Sequence, residues 1–101
     1  MVMEYKKIRV RRKEILESAC DVASRKHYRN ISRQELAELG ETVPGNVSRI
    51  MGSMEGFRDL IVDYAIKNNK SHVVGQAIQE GHSLTQSMSG KEKKKHLLAI
   101  L

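Results

Sequence analysis

The chain has 101 residues, a formal charge of +6 and 40% hydrophobic residues, with one Phe, three Tyr and no Trp. That length suits one domain with a modest core, and a core of Leu, Ile, Val, Ala and Met favours helices over strands. One cysteine excludes an intrachain disulfide, four histidines and one thiol lack zinc-ligand spacing, and no apolar run reaches membrane-spanning length.

The first residues, MVMEYKKIRVRRK, are basic. Residues 1–10 read as a basic arm that merges into a helix at about residue 11. Lys6, Lys7, Arg9, Arg11 and Arg12 are candidate phosphate or minor-groove contacts, the alternative being a solvated chain end. From about Arg11 to Lys26, Ile15, Leu16, Ala19, Val22 and Ala23 recur at helical spacing, giving a scaffold helix with one apolar face. Cys20 borders that face and reads as a small buried residue rather than a reactive thiol. His27 reads as a surface or capping residue, while Tyr28 and Ile31 anchor the following loop.

The stretch from Ser32 to Met51 organises the rest. Ser32 and Glu35 form the S-x-x-E pattern that satisfies orphan amides at a helix start. Leu36, Ala37 and Leu39 give a short apolar patch, and Gly40 a stop. A second helix begins near Pro44, which is tolerated in a first turn. Val43, Val47, Ile50 and Met51 share one face of it; Thr42, Gly45, Asn46 and Arg49 share the other. Two short helices with a tight turn between them read as a helix-turn-helix, with about 43–51 as the recognition helix.

Ser53 then caps a fourth helix, with Phe57, Leu60, Ile61, Tyr64 and Ala65 as its core stripe. Ser71 is the expected cap of a short helix bearing Val73, Val74, Ala77 and Ile78, and Gly81–Ser83 a break. Ser89 and Glu92 repeat the capping pattern before a last helix whose Leu97, Leu98, Ile100 and Leu101 need burial.

On these residues, Arg12 to Leu60 resembles the N-terminal DNA-binding domain of TetR-type transcriptional regulators. Arg12, Ile15, Leu16 and Ala19 stand at the places of the family's R-x-x-I-L-x-x-A. His27-Tyr28 matches its Gly-Tyr, Leu36-Ala37 its Ile-Ala, and Pro44 to Val47 its recognition-helix stretch. Glu55 and Phe57 fall where its fourth helix has Glu and Leu. The departures are Glu41 for the turn glycine, Ser48 for a phosphate-binding Tyr, Met51 for Phe, and Met54 for a phosphate-contacting Lys. Asn46 to Ile50 is also similar, over a shorter stretch, to the recognition helix of LacI-type repressors.

The resulting expectation is all-α: a homeodomain-like three-helix core over residues 11–66 with its fourth helix, then one or two short helices in 67–101. The expected function is sequence-specific binding of double-stranded DNA by a cytoplasmic homodimer, as a transcriptional repressor rather than an activator. Thr42, Pro44, Gly45, Asn46 and Arg49 are the candidate base-contacting residues. Asn suits adenine and Arg suits guanine in the major groove. Arg33, Gln34, Ser48 and Ser53 are candidates for phosphate or flanking contacts. Residues 67–101 are too few to enclose a small-molecule pocket of roughly 300 Å³, so no effector or cofactor is expected and this segment is a candidate dimerisation element. Glu14, Glu17 and Asp21 read as solvated helix charges and no Gly-rich phosphate loop is present, so no enzyme is expected. The alternatives are a DNA-packaging or replication accessory factor using the same motif, and a protein-interaction module.

Overall fold

The computed structural model describes residues 2–40 and 43–101, with side chains described from Val10 onward apart from that of Pro44. Among the described residues there are six α-helices and no strand: α1 (Val2–Val22), α2 (Arg33–Leu39), α3 (Pro44–Met51), α4 (Met54–Lys67), α5 (Ser71–Glu80) and α6 (Gly90–Leu97). Single 3-10 turns lie at Tyr28–Asn30, Ser83–Thr85 and Leu98–Ile100. The chain is all-α.

The first helix is longer at its start than the apolar periodicity implies. Its 21 residues begin at Val2, because the basic stretch contains neither Gly nor Pro and is rich in Lys and Arg, which are strong helix formers. It ends at Val22 rather than Lys26. There the Ser24 hydroxyl donates to the Asp21 carbonyl at 2.7 Å, and the Arg25 and Lys26 amides both converge on the Val22 carbonyl.

The cap of α2 is complete. Ser32 Oγ accepts from the Glu35 amide at 3.1 Å, and the Ser32 amide donates to Glu35 Oε1 at 3.1 Å. Gly40 ends the helix with an ordinary φ of −88°. Its smallness is what matters: a Cβ there would lie 2.9 Å from Ile15 Cγ1, so glycine lets the end of α2 close onto α1.

In α3, Val47, Ile50 and Met51 are buried as their spacing implies. Val43 does not join them. It is the N-cap, with extended backbone (φ −109°, ψ 155°), and is 60% exposed. A residue outside the helical geometry is not bound by the helical period.

Ser53 caps α4 by accepting from the Gly56 amide at 3.0 Å, and Phe57, Ile61, Val62 and Ala65 are buried. Leu60 and Tyr64 are only half-buried. The N-cap of α5 is Lys70, not Ser71, whose hydroxyl instead meets His96 Nδ1 at 3.0 Å. Ser89 Oγ caps α6 through the Glu92 amide.

One apolar core runs through the structure, from Ile15, Leu16 and Ala19 of α1 to Val73, Val74 and Ala77 of α5. The segment after residue 66 is therefore built onto the same core as the first four helices. Helices α5 and α6 meet at Gly75, where a Cβ would come within 2.8 Å of the His96 carbonyl. At the chain's last turn burial is incomplete, with Leu98 60% and Leu101 91% exposed.

Candidate nucleic-acid interface

Helices α2 and α3 pack against each other and both pack on α1, while α3 also packs on α4. Burial of Leu36 and Ala37 in α2, and of Val47, Ile50 and Met51 in α3, turns the remaining residues outward. On α3, Gly45 and Arg49 stand one turn apart and exposed, and Asn46 and Ser48 are half-buried beside them. Gly45 faces open space: a Cβ built on it meets no atom within 4 Å. In the first turn of α2, Gln34 is exposed and Arg33 half-buried. Among the described residues, no acidic side chain lies within ion-pair distance of Arg33 or Arg49. Arg49 thus presents its charge at the surface.

Ser53 is exposed, with its hydroxyl engaged in capping α4. Thr42 lies outside the described residues, as do the side chains of Lys6, Lys7, Arg9 and Pro44; the backbone of Pro44 occupies the first position of α3.

Two arginines of the basic stretch bond back to the fold. Arg11 Nη1 donates to the Gly40 carbonyl at 3.3 Å, at the end of α2. Arg12 Nη2 donates to the Ile50 carbonyl at 2.8 Å, at the end of α3. The last carbonyls of a helix have no partner within it and carry its negative dipole end, so a guanidinium is well suited to both needs. Through these bonds α1 holds the exits of both short helices, fixing how α3 is presented.

Beneath them, α5 ties down the loop leaving α1. Gln76 Oε1 accepts from the Tyr28 amide at 3.0 Å, and its Nε2 donates to the Ala23 carbonyl at 2.8 Å. Glu80 accepts from the Tyr28 hydroxyl at 2.5 Å and pairs with Arg29 Nε at 2.6 Å. Burial raises the Glu80 pKa, but the Arg29 and Tyr28 hydrogen bonds outweigh it and hold the carboxyl below its ordinary value. His27 accepts from the Arg29 amide through Nδ1, which leaves Nε2 carrying the proton toward Glu80 at 3.3 Å. Its capping role is as expected.

Glu17 is more than a solvated helix charge. It accepts from Lys70 Nζ at 2.6 Å and from the Tyr64 hydroxyl, joining α1, α4 and the start of α5. Lys70 and then Tyr64 hold its pKa down, while Glu17 pushes that of Tyr64 up to about 12. Cys20 is buried and its thiol is pushed up to about 11 by desolvation, so it is a packing residue rather than a nucleophile.

Among the described residues, no group of His, Cys, Asp and Glu is arranged to hold a metal ion, and no helix is long and apolar enough to cross a membrane. Compared with protein-family models, with curated proteins and with solved structures, the chain finds no match in any of the three.

The roles of Gln76, Glu80 and Arg12 escape a reading of the sequence alone because each acts on backbone 38 or more positions away, or on a side chain as distant. The exposure of Val43 had one local signal. It stands at a helix start where the other expected caps are serine.

Proposed function

We propose that the protein is a sequence-specific double-stranded DNA-binding protein, a small cytoplasmic transcriptional regulator with a TetR-like helix-turn-helix formed by α2 and α3. In this reading α3 lies in the major groove. Arg49 pairs with guanine O6 and N7, Asn46 with adenine, and Gly45 lets the helix approach closely. Arg33 and Gln34 meet flanking phosphates or bases, and Ser48 and the α4 start near Ser53 add further backbone contacts. One such motif reads one half-site, so the protein acts as a homodimer on a palindromic site, as a repressor that occludes it.

The observation that carries this reading is the division of α3. One face is sunk in the core, and the other presents an exposed Arg49 without an acidic partner among the described residues, on a chain of charge +6. The test is selection of bound duplexes from a random pool, followed by sizing of the complex. A palindromic consensus bound by two chains supports the reading. Binding of all duplexes alike, or assembly into higher oligomers on one site, argues instead for a packaging or replication role.

A further inference from the structure

On the reading of α3 as the groove helix, we propose that Val43 is a specificity-determining residue that recognises the 5-methyl group of a thymine.

The N-cap residues of α2 to α6 are described, and three of the five are serine. Ser32, Ser53 and Ser89 all have extended backbone, with φ between −86° and −68° and ψ near 160°, and each accepts from the amide three residues on. Val43 holds the same region, with φ −109° and ψ 155°, and makes no side-chain cap bond. The backbone there is that of an ordinary N-cap, and the chain sets a valine where three other helices carry a capping serine.

At the other exception the reason is visible. Lys70 begins α5 without a cap bond, and its Nζ lies 2.6 Å from Glu17 on α1. Val43 has no such partner among the described residues. It is 60% exposed, while Val47, four residues on, is 2% exposed. The side chain forgoes a cap bond and stays mostly in water, so it is open to a contact from outside, which on the groove reading is a base edge.

In the major groove the apolar feature is the thymine methyl, which a small aliphatic side chain contacts well. Residues at the N-terminal end of a recognition helix are those that reach base edges. Gly45, two residues on, leaves that end of α3 open, since a Cβ there meets nothing within 4 Å. None of the residues expected to contact bases from α3, Pro44, Gly45, Asn46 and Arg49, supplies an apolar branched side chain.

The experiment uses the full chain and the duplex returned by selection, with each thymine replaced in turn by deoxyuridine, which deletes only the methyl. Wild-type protein is expected to lose about fourfold in affinity at one position of each half-site, the value of one buried methyl. Val43→Ser, which sets a hydroxyl in place of the apolar branches, is expected to bind the thymine and uracil duplexes equally. Val43→Ser should also melt at or above the wild-type temperature, because it restores the cap. Uracil without effect at every position, or an unchanged thymine-to-uracil ratio in Val43→Ser, overturns the assignment while leaving DNA binding by α3 standing. A change in self-association in Val43→Ser, with that ratio intact, gives the side chain to a protein contact and equally overturns it. A selection that returns no duplex removes the underlying reading as well.

Discussion

Arg12 spans from α1 to the end of α3, its Nη2 donating to the Ile50 carbonyl at 2.8 Å. Its neighbour Arg11 does the same for Gly40 at the end of α2. Two cations that the sequence offers as phosphate contacts or as part of a solvated chain end thus also fasten the helix pair. A fastener and a phosphate contact respond differently to removal. Arg12→Ala is expected to cost about 1 kcal/mol of stability, the scale of one hydrogen bond. For a domain of this size that is about 4–8 °C in melting temperature. The salt dependence of DNA binding should keep its slope. A slope reduced by about one with an unchanged melting temperature would return Arg12 to the phosphates.

Gly75 is the contact point of α5 with α6, and the atom that an added Cβ would meet at 2.8 Å is a backbone oxygen, that of His96. Backbone yields less readily than a flexible side chain. Gly75→Ala is expected to destabilise by about 1–3 kcal/mol, as overpacking does. Amide protection should fall first in α6. Gly90→Ala is the control, since a Cβ there meets nothing within 4 Å, and its melting temperature should match or slightly exceed wild type.

His96 is 6% exposed and its ring meets the Ser71 hydroxyl at 3.0 Å. Burial, aided by the charge of Lys95 and opposed by Glu92, holds its pKa below the ordinary 6.5. The unfolded chain therefore takes up a proton at a higher pH than the folded one. The contribution of His96 to stability is full above about pH 6.5 and is lost as pH falls through the lower folded value. Melting curves from pH 7.5 down to 5 should show this loss, and His96→Gln should flatten it in that window. An equal slope in the variant would place the pH dependence elsewhere.

Much of the fold is legible in the sequence because its signals are local. Ser32 with Glu35, Ser53, Ser89 and the Phe57–Ala65 stripe each act within a turn or two. Helical period alone places Val47, Ile50 and Met51 inside. What is not legible depends on partners distant in the chain or on the edge of a period. Gln76 satisfies an amide and a carbonyl of the α1 exit loop from 48 and 53 residues away. Glycine at 40 reads as a conformational stop, yet its φ is ordinary and its use is room for Ile15. Val43 follows the apolar pattern of α3 but sits at the N-cap, where that pattern no longer dictates direction. The candidate interface is legible to the same extent. Gly45 and Arg49 face outward as their spacing implies, while Arg11 and Arg12 turn back onto the fold.

The most direct measurement of the central claim is the base preference of Arg49→Ala beside that of the wild type. Both proteins would be assayed on the selected duplex, on every single-base variant of it, and on random duplex. Arg49 in the groove predicts loss of one guanine preference per half-site, worth about 1–3 kcal/mol or roughly fivefold to 150-fold. Random-duplex affinity should change far less and melting temperature should hold, since the side chain is exposed. An unchanged preference at every position, with the same affinity for the selected site, would contradict the placement of α3 in the major groove.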